Sequence, residues 1–193
     1  MCHNIAMITL LYIVSCIYFF IPAYIANASP PLANTFNVLN RFNRPIDGGR
    51  TIKGIPILGT HKTWRGLICE ISICTLLFQL FFWINNHFHL PFLTVIGINS
   101  FFVSSWLLGI LLAMGIVFGD LFFAFIKRRL RLKPGTAFIP FDQTNYVIGA
   151  FVFIQPIIGL PFTFWTTLFV LTFFIHVLFN RIGYNLDLHK AKW

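Results

Sequence analysis

Residues 92–133 read "FLTVIGINSFFVSSWLLGILLAMGIVFGDLFFAFIKRRLRLK". A nearly unbroken apolar run, 92–126, ends on a block of five cations. A membrane-spanning helix takes about 20 residues, so the run is too long for one crossing and short for two. Charge resolves the count. All fourteen Lys and Arg fall in three places: residues 41–65, residues 127–133, and a tail from Arg181 to Lys192. Basic loops stay on the cytoplasmic side, so the three segments share a face and two crossings separate the first from the second. The apolar run 67–84 supplies one crossing. Residues about 104–126 supply the other, preceded by an outer or re-entrant piece near 92–103.

Further apolar runs lie near 5–25, 146–160 and 162–180. The predicted architecture is all-α and polytopic: about five transmembrane helices, the N-terminus outside, the C-terminus cytoplasmic, and cytoplasmic loops over about 28–65 and 127–145. Composition agrees. Of 193 residues 58% are hydrophobic and only 10% charged, too little charge to cover a soluble domain. Long apolar runs without strict alternation satisfy their backbones as helices and not as a barrel. A single integral membrane domain, 1–193, is expected. Pro156 and Pro161 predict a short turn between the last two helices. Ala26-Asn27-Ala28 resembles a signal-cleavage site, but the start lacks a basic region and the run is of span length, so the expectation is a retained helix. Cys16, Cys69 and Cys74 fall in predicted spans without metal-like pairing and read as small apolar packers, and Cys2 stands apart near the start.

The net charge of +9 points to phosphate. No soluble basic domain exists to bind nucleic acid, so lipid or nucleotide phosphates are the expected partners. The five acids are Asp47, Glu70, Asp120, Asp142 and Asp187. An ionised carboxylate inside a span costs about 3 kcal/mol, so Asp120 needs a partner. On a continuous helix Asp120, Ala124, Lys127 and Arg131 share one face. Two readings stay open. Asp120 and Asp142 hold a hard divalent cation while the basic residues hold phosphates, since Mg²⁺ takes few carboxylates when phosphate oxygens complete its shell. Alternatively the cations form a snorkelling girdle and Asp120 pairs with Lys127 on its own helix.

Loop one offers a similar choice. Arg44, Arg50, Lys53, Lys62 and Arg65 interleave with glycines that allow close backbone approach to a ligand, or they grip headgroups. Thr63 supplies a hydroxyl donor or caps the second helix. The GxxxxGK[ST] spacing is absent. His176, Asn180 and Tyr184 form a polar stripe at i, i+4 and i+8, and Gly115 and Gly119 form a GxxxG that lets another helix approach Asp120.

In order and spacing, "PAYIANASP" (22–30), "RPIDGG" (44–49), "PILGTHKTWRGL" (56–67), "GDLFFAFIKRRLRLKPG" (119–135), "FDQTNYVIGA" (141–150) and "HVLFNRIGYNLDLHKAKW" (176–193) resemble the CDP-archaeol synthase family. That family sits within the wider group of membrane CTP:phosphatidate cytidylyltransferases, the CDP-diacylglycerol synthase superfamily. The resemblance implies transfer of CMP from CTP to an ether-linked lipid phosphate, with Mg²⁺ and release of pyrophosphate, for phospholipid biosynthesis in a cell membrane. It implies Asp120 and Asp142 as metal ligands, with Asn145 beside them. Lys127, Arg128 and Arg129 would hold phosphates. Lys62, Thr63, Trp64 and Arg65 would line the nucleotide site, and Asn27 and Asp47 would complete it. The chain reads "DQTN" where the family has "DQLD", so Asn145 stands for an acid; Lys53 and Ala124 also depart from the pattern. A CDP-alcohol phosphatidyltransferase is disfavoured, because no acidic pair follows Asp47-Gly48 at the needed spacing. The remaining alternative is a non-catalytic lipid-phosphate binding or transport protein. A homo-oligomer is compatible with either.

Overall fold

A computed structural model describes residues 2–98, 104–133 and 136–185. Part of the expected outer piece near 92–103, together with Asp187, Lys190 and Lys192, lies outside the described residues. The chain forms α1 (Cys2–Asn27), α2 (Ser29–Thr35), a 3₁₀ turn (Asn40–Phe42), the strands β1 (Thr51–Ile52) and β2 (Ile55–Pro56), α3 (Trp64–His87), α4 (Phe92–Val95), α5 (Ser105–Arg129), α6 (Phe141–Ile158) and α7 (Phe162–Asn185).

Four segments are long and apolar enough to cross a membrane: Ile5–Thr35, Trp64–His87, Ser105–Arg129 and Phe162–Ile182. The fifth predicted span corresponds to α6, an 18-residue helix. The protein is a multi-pass membrane protein. Its outward faces carry Ile5, Ile8, Leu10, Phe174 and Leu178, side chains suited to lipid and not to water. The centre is aromatic and aliphatic: Phe19 packs edge-on against both Phe78 and Phe164 at 5.7 and 5.6 Å between ring centres, above fully buried Leu108, Leu112 and Ile116. Cys16, Cys69 and Cys74 are buried free thiols within this packing, as expected.

Helix ends follow local chemistry. Thr63, in extended backbone, caps α3 by accepting from the Gly66 N–H at 3.2 Å. Lys127, Arg128 and Arg129 fill the last turn of α5, where cations oppose the helix dipole favourably. Gly159 ends α6 in the left-handed conformation, φ +68°, and a short connection through Pro161 begins α7.

The most extensive helix–helix contact joins α5 to α6. The Gly115/Gly119 motif faces Gly149, Ala150 and Asn145 there, backbone against backbone. A Cβ at 115 would lie 2.7 Å from the Ala150 Cα, and one at 119 would strike the Asn145 carbonyl.

Two expectations change, and loop one gains detail. Asp142 and Asn145 are not in a loop but in the first turns of α6, which starts at Phe141; hydropathy trims a helix to its apolar part, whereas its hydrogen bonding continues through polar residues. Arg131 does not extend the Asp120 face, because α5 stops at Arg129 and Arg131 has φ +57°. Within loop one, α2, the 3₁₀ turn and a β1–β2 hairpin fold the chain against the bundle.

Candidate active site

The end of α1, the start of α3, the basic end of α5 and the start of α6 meet at one end of the bundle, with loop one folded over them. Asp47 organises that loop. Its carboxylate accepts backbone N–H groups from Gly49, Leu58 and Gly59 at 2.9, 2.8 and 3.2 Å. Partial burial raises its pKa, but the three amide donors outweigh it and hold the carboxyl below its ordinary value. The loop's two ends are stitched by Ile46 N–H to Lys62 C=O, 2.9 Å, and Trp64 N–H to Arg44 C=O, 3.0 Å. The hairpin turns at Lys53-Gly54, both at positive φ. Arg129 binds it to α5, donating to the carbonyls of Ile52, Ile55 and Pro56 while lying over the Phe125 ring at 5.3 Å.

So held, loop one delivers Lys62 to Asp120, with Nζ 2.6 Å from each carboxylate oxygen. The alternative partner, Lys127, is engaged elsewhere. Its Nζ donates to both oxygens of Asp142 at 2.9 and 2.7 Å and to the Thr136 carbonyl at 2.9 Å. The Asp120–Lys127 pair of the girdle reading is not formed; two crossed pairs stand instead, because each lysine reaches an acid on another segment. Asp142 also accepts the Phe138 N–H at 2.9 Å.

Two cavities open on these pairs. The first, about 400 Å³, is lined by Asn27, Asn34, Lys62, Arg65, Glu70 and Asp120, with an apolar side from Ile46, Leu67, Val117 and Leu121. The second, about 300 Å³, is lined by His61, Lys62, Asp120, Lys127, Arg128, Asp142 and Asn145, with Phe123 and Ala124 at its apolar side. Lys62 and Asp120 line both. Arg128 donates one N–H to the Leu132 carbonyl at 3.0 Å, and its Nε is buried without a partner among the described residues. Asp120, Asp142 and Asn145 present only hard oxygen donors to the second cavity, and among the described residues no cluster of three His, Cys, Asp or Glu exists to form a full protein cage. That donor set fits a cation whose shell is completed by phosphate or water. The Asn145 Oδ1 already accepts the Tyr146 N–H at 2.6 Å.

The other sequence-predicted residues divide. Asn27, Thr63 and Arg65 line the first cavity. Arg65 is only 4% exposed, its guanidinium held by the side-chain oxygens of Asn34, 2.7 Å, and Asn40, 3.0 Å. Trp64, at 47% exposure, lines neither cavity, and Asp47 and Arg129 hold loop one from outside them. The polar stripe on α7 forms a His176–Asn180 contact of 3.2 Å and lines neither cavity. Sequence reasoning missed Glu70, His61 and Asn34. Only Glu70 carried a signal, as a rare acid in a span.

Comparison with known proteins places this arrangement. The profile of the CarS-like family, described as CDP-archaeol synthase, matches residues 7–193. The chain belongs to the CDP-archaeol synthase family. It is 34% identical over 177 residues to the CDP-archaeol synthase of Thermococcus onnurineus, covering 91% of this chain and 94% of that one. To the CDP-archaeol synthase of Methanosarcina mazei it is 35% identical over 183 residues, covering 90% and 99%. A solved structure of an intramembrane enzyme for archaeal membrane lipids biosynthesis shares the fold, with a TM-score of 0.67 at 23% identity over 87% of this chain and 94% of that one. Within the CDP-archaeol synthase family, then, this chain builds its cavities from α1, α3, α5, α6 and a folded first loop.

Proposed function

We propose that the protein is a membrane cytidylyltransferase that moves CMP from CTP onto a lipid phosphate, of the archaeol ether type or a related phosphatidate, and releases pyrophosphate. The observation that carries the reading is the second cavity. It sets Lys127 and Arg128, whose Nε has no partner among the described residues, beside Asp120 and Asp142 at one end of the bundle, in a chain whose named relatives are CDP-archaeol synthases.

Lys127 and Arg128 receive the triphosphate, and Lys62 stands at the wall common to both cavities, where the α-phosphate comes to rest. A lipid phosphate oxygen bonds to the α-phosphorus while the bond to the bridging oxygen breaks, and pyrophosphate leaves with that electron pair. The nucleophile is already an anion, so no general base is required. Positioning and charge neutralisation supply the catalysis. Mg²⁺, held by Asp120 and Asp142 with the Asn145 amide beside them, would neutralise the triphosphate and the leaving group. The basic loops lie on the cytoplasmic face, where CTP is available.

Purified protein given labelled CTP, Mg²⁺ and a panel of ether- and ester-linked lipid phosphates should yield a CDP-lipid and pyrophosphate. No CDP-lipid from any acceptor, beside a working relative, would overturn the reading in favour of a binding or transport protein. Asp120→Asn should insert normally yet make no product; near-normal turnover would remove the metal assignment.

A further inference from the structure

Loop one carries a surface that the transfer chemistry leaves unused. After α2 the sequence reads "FNVLNRFNR" (36–44), and its four apolar side chains, Phe36, Val38, Leu39 and Phe42, all stand exposed. Phe36, at 73%, is the most exposed large apolar side chain among the described residues. Single exposed apolar residues are ordinary, but four within seven positions form a patch. The backbone holds them outward. Val38 N–H donates to the Ala33 carbonyl at 3.0 Å across Asn37, which closes α2 in the left-handed conformation at φ +53°. Leu39 repeats that conformation at φ +53°, where a branched side chain is strained. Leu39 is nevertheless left 40% exposed, so the strain gains little burial within the bundle.

Cations accompany the patch. Arg41 and Arg44 interleave with its apolar side chains, and Arg50 and Lys53 follow on the hairpin beside exposed Ile52. All four are exposed, and their side chains make no hydrogen bond or ion pair among the described residues. The cations of the site differ: Lys62, Arg65, Lys127, Arg128 and Arg129 are each bonded within the protein. Asp47, the acid of this loop, is taken up by three amides and neutralises none of the four.

Position supplies the partner. The patch directly follows Ile5–Thr35, a stretch long enough to cross a membrane, so it emerges at a bilayer surface. Arg129 ties the hairpin to the end of α5, where a second span emerges at the same end of the bundle. Asn34 and Asn43, on either side of the patch, line the first cavity, and Pro56 and Leu58, just past the hairpin turn, line the second. Apolar tips beside unpaired cations match a leaflet whose acyl chains lie just below anionic headgroups. We propose that the outer surface of loop one, residues 36–53, docks on the surrounding bilayer: Phe36, Val38, Leu39 and Phe42 enter the acyl boundary, and Arg41, Arg44, Arg50 and Lys53 hold the headgroups of bulk anionic lipids. The docking sets the mouths of both cavities at headgroup depth. Its occupant is the lipid around the protein and not a ligand inside either cavity.

The full-length protein tests this in nanodiscs, with Phe36→Cys carrying a bimane label in a Cys2→Ser background; Cys16, Cys69 and Cys74 are buried. Phosphatidylcholine with brominated acyl chains should quench the label, and iodide in the water should quench it weakly. At equal fraction, brominated phosphatidylglycerol should quench it several-fold more, since each adjacent cation enriches anionic lipid by about fivefold. Raised salt should remove that excess, and so should Arg41→Gln with Arg44→Gln, leaving the phosphatidylcholine signal in place. Should the double variant not fold, the salt titration of the labelled protein decides. Strong iodide quenching without quenching by brominated chains would show a patch facing water and overturn the proposal. Equal quenching by the two brominated lipids would overturn its anionic part. A label shielded from both quenchers would mean that protein, such as a second copy, covers the patch, and the proposal would fall. The test requires no turnover, so it stands apart from the transferase reading.

Discussion

The two walls of the site are held by different forces. The α5–α6 wall, which carries Asp120, Lys127, Asp142 and Asn145, rests on glycine seams where backbone meets backbone. The loop-one wall, which carries Lys62 and leads into Arg65, rests on single side chains: Asp47 on three amides, Arg129 on the hairpin carbonyls, Thr63 on the α3 start. The first wall leaves no space at Gly115, Gly119 or Gly149 for a side chain between its helices. The second is held by separate side-chain ties, each of which one substitution removes.

The largest effects should come from the rigid wall. A Cβ at Gly119 or Gly149 would strike backbone of the facing helix, and backbone cannot rotate away. Gly119→Ala should destabilise the protein by about 3 kcal/mol, and Gly119→Leu should abolish recovery of folded protein. Thermal unfolding and size-exclusion in detergent read both; an unchanged melting temperature for Gly119→Ala would dissolve the contrast between the walls. Next comes chemistry on the same wall. Asp142→Asn preserves volume and removes the charge that fixes Lys127, so CDP-lipid formation should fall about 100-fold while folding is retained. The third effect belongs to the first cavity. Arg65→Met strips the partner from the Asn34 and Asn40 side chains and should cost about 1–3 kcal/mol, read as a lowered melting temperature with faster hydrogen exchange in α2.

The rigid wall was legible in the sequence, because scarce charges in an apolar chain point to themselves and GxxxG declares a close helix contact. Its pairings were not. Periodicity relates Asp120 only to neighbours on its own helix, whereas its true partner, Lys62, stands 58 positions away. The start of α6 was hidden for a related reason: Asp142, Gln143, Thr144 and Asn145 end the apolar signal but not the helix. In the loop wall, α2 and the hairpin are too short for any period to register, and Glu70 showed as an acid without showing that it lines a cavity.

The smallest expected effect tests whether the loop wall is held as described. The folded-state pKa of Asp47 lies below its ordinary 3.8, so the Asp47 contribution is fully present above that value and is lost as pH falls through the lower folded one. Near neutrality nothing should change. As pH falls through the lowered folded value, protonation should release the amides of Gly49, Leu58 and Gly59, and their protection from exchange, corrected for intrinsic rates, should drop while α5 and α6 stay protected. Asp47→Asn should remove this pH dependence, since an amide has no charge to lose. The same variant separates holding from touching. A residue that only shapes the loop should alter turnover at neutral pH far less than Asp142→Asn does. A loss as large as that of Asp142→Asn would mean that Asp47 reaches the substrate directly, and the loop wall would then be chemical as well as structural.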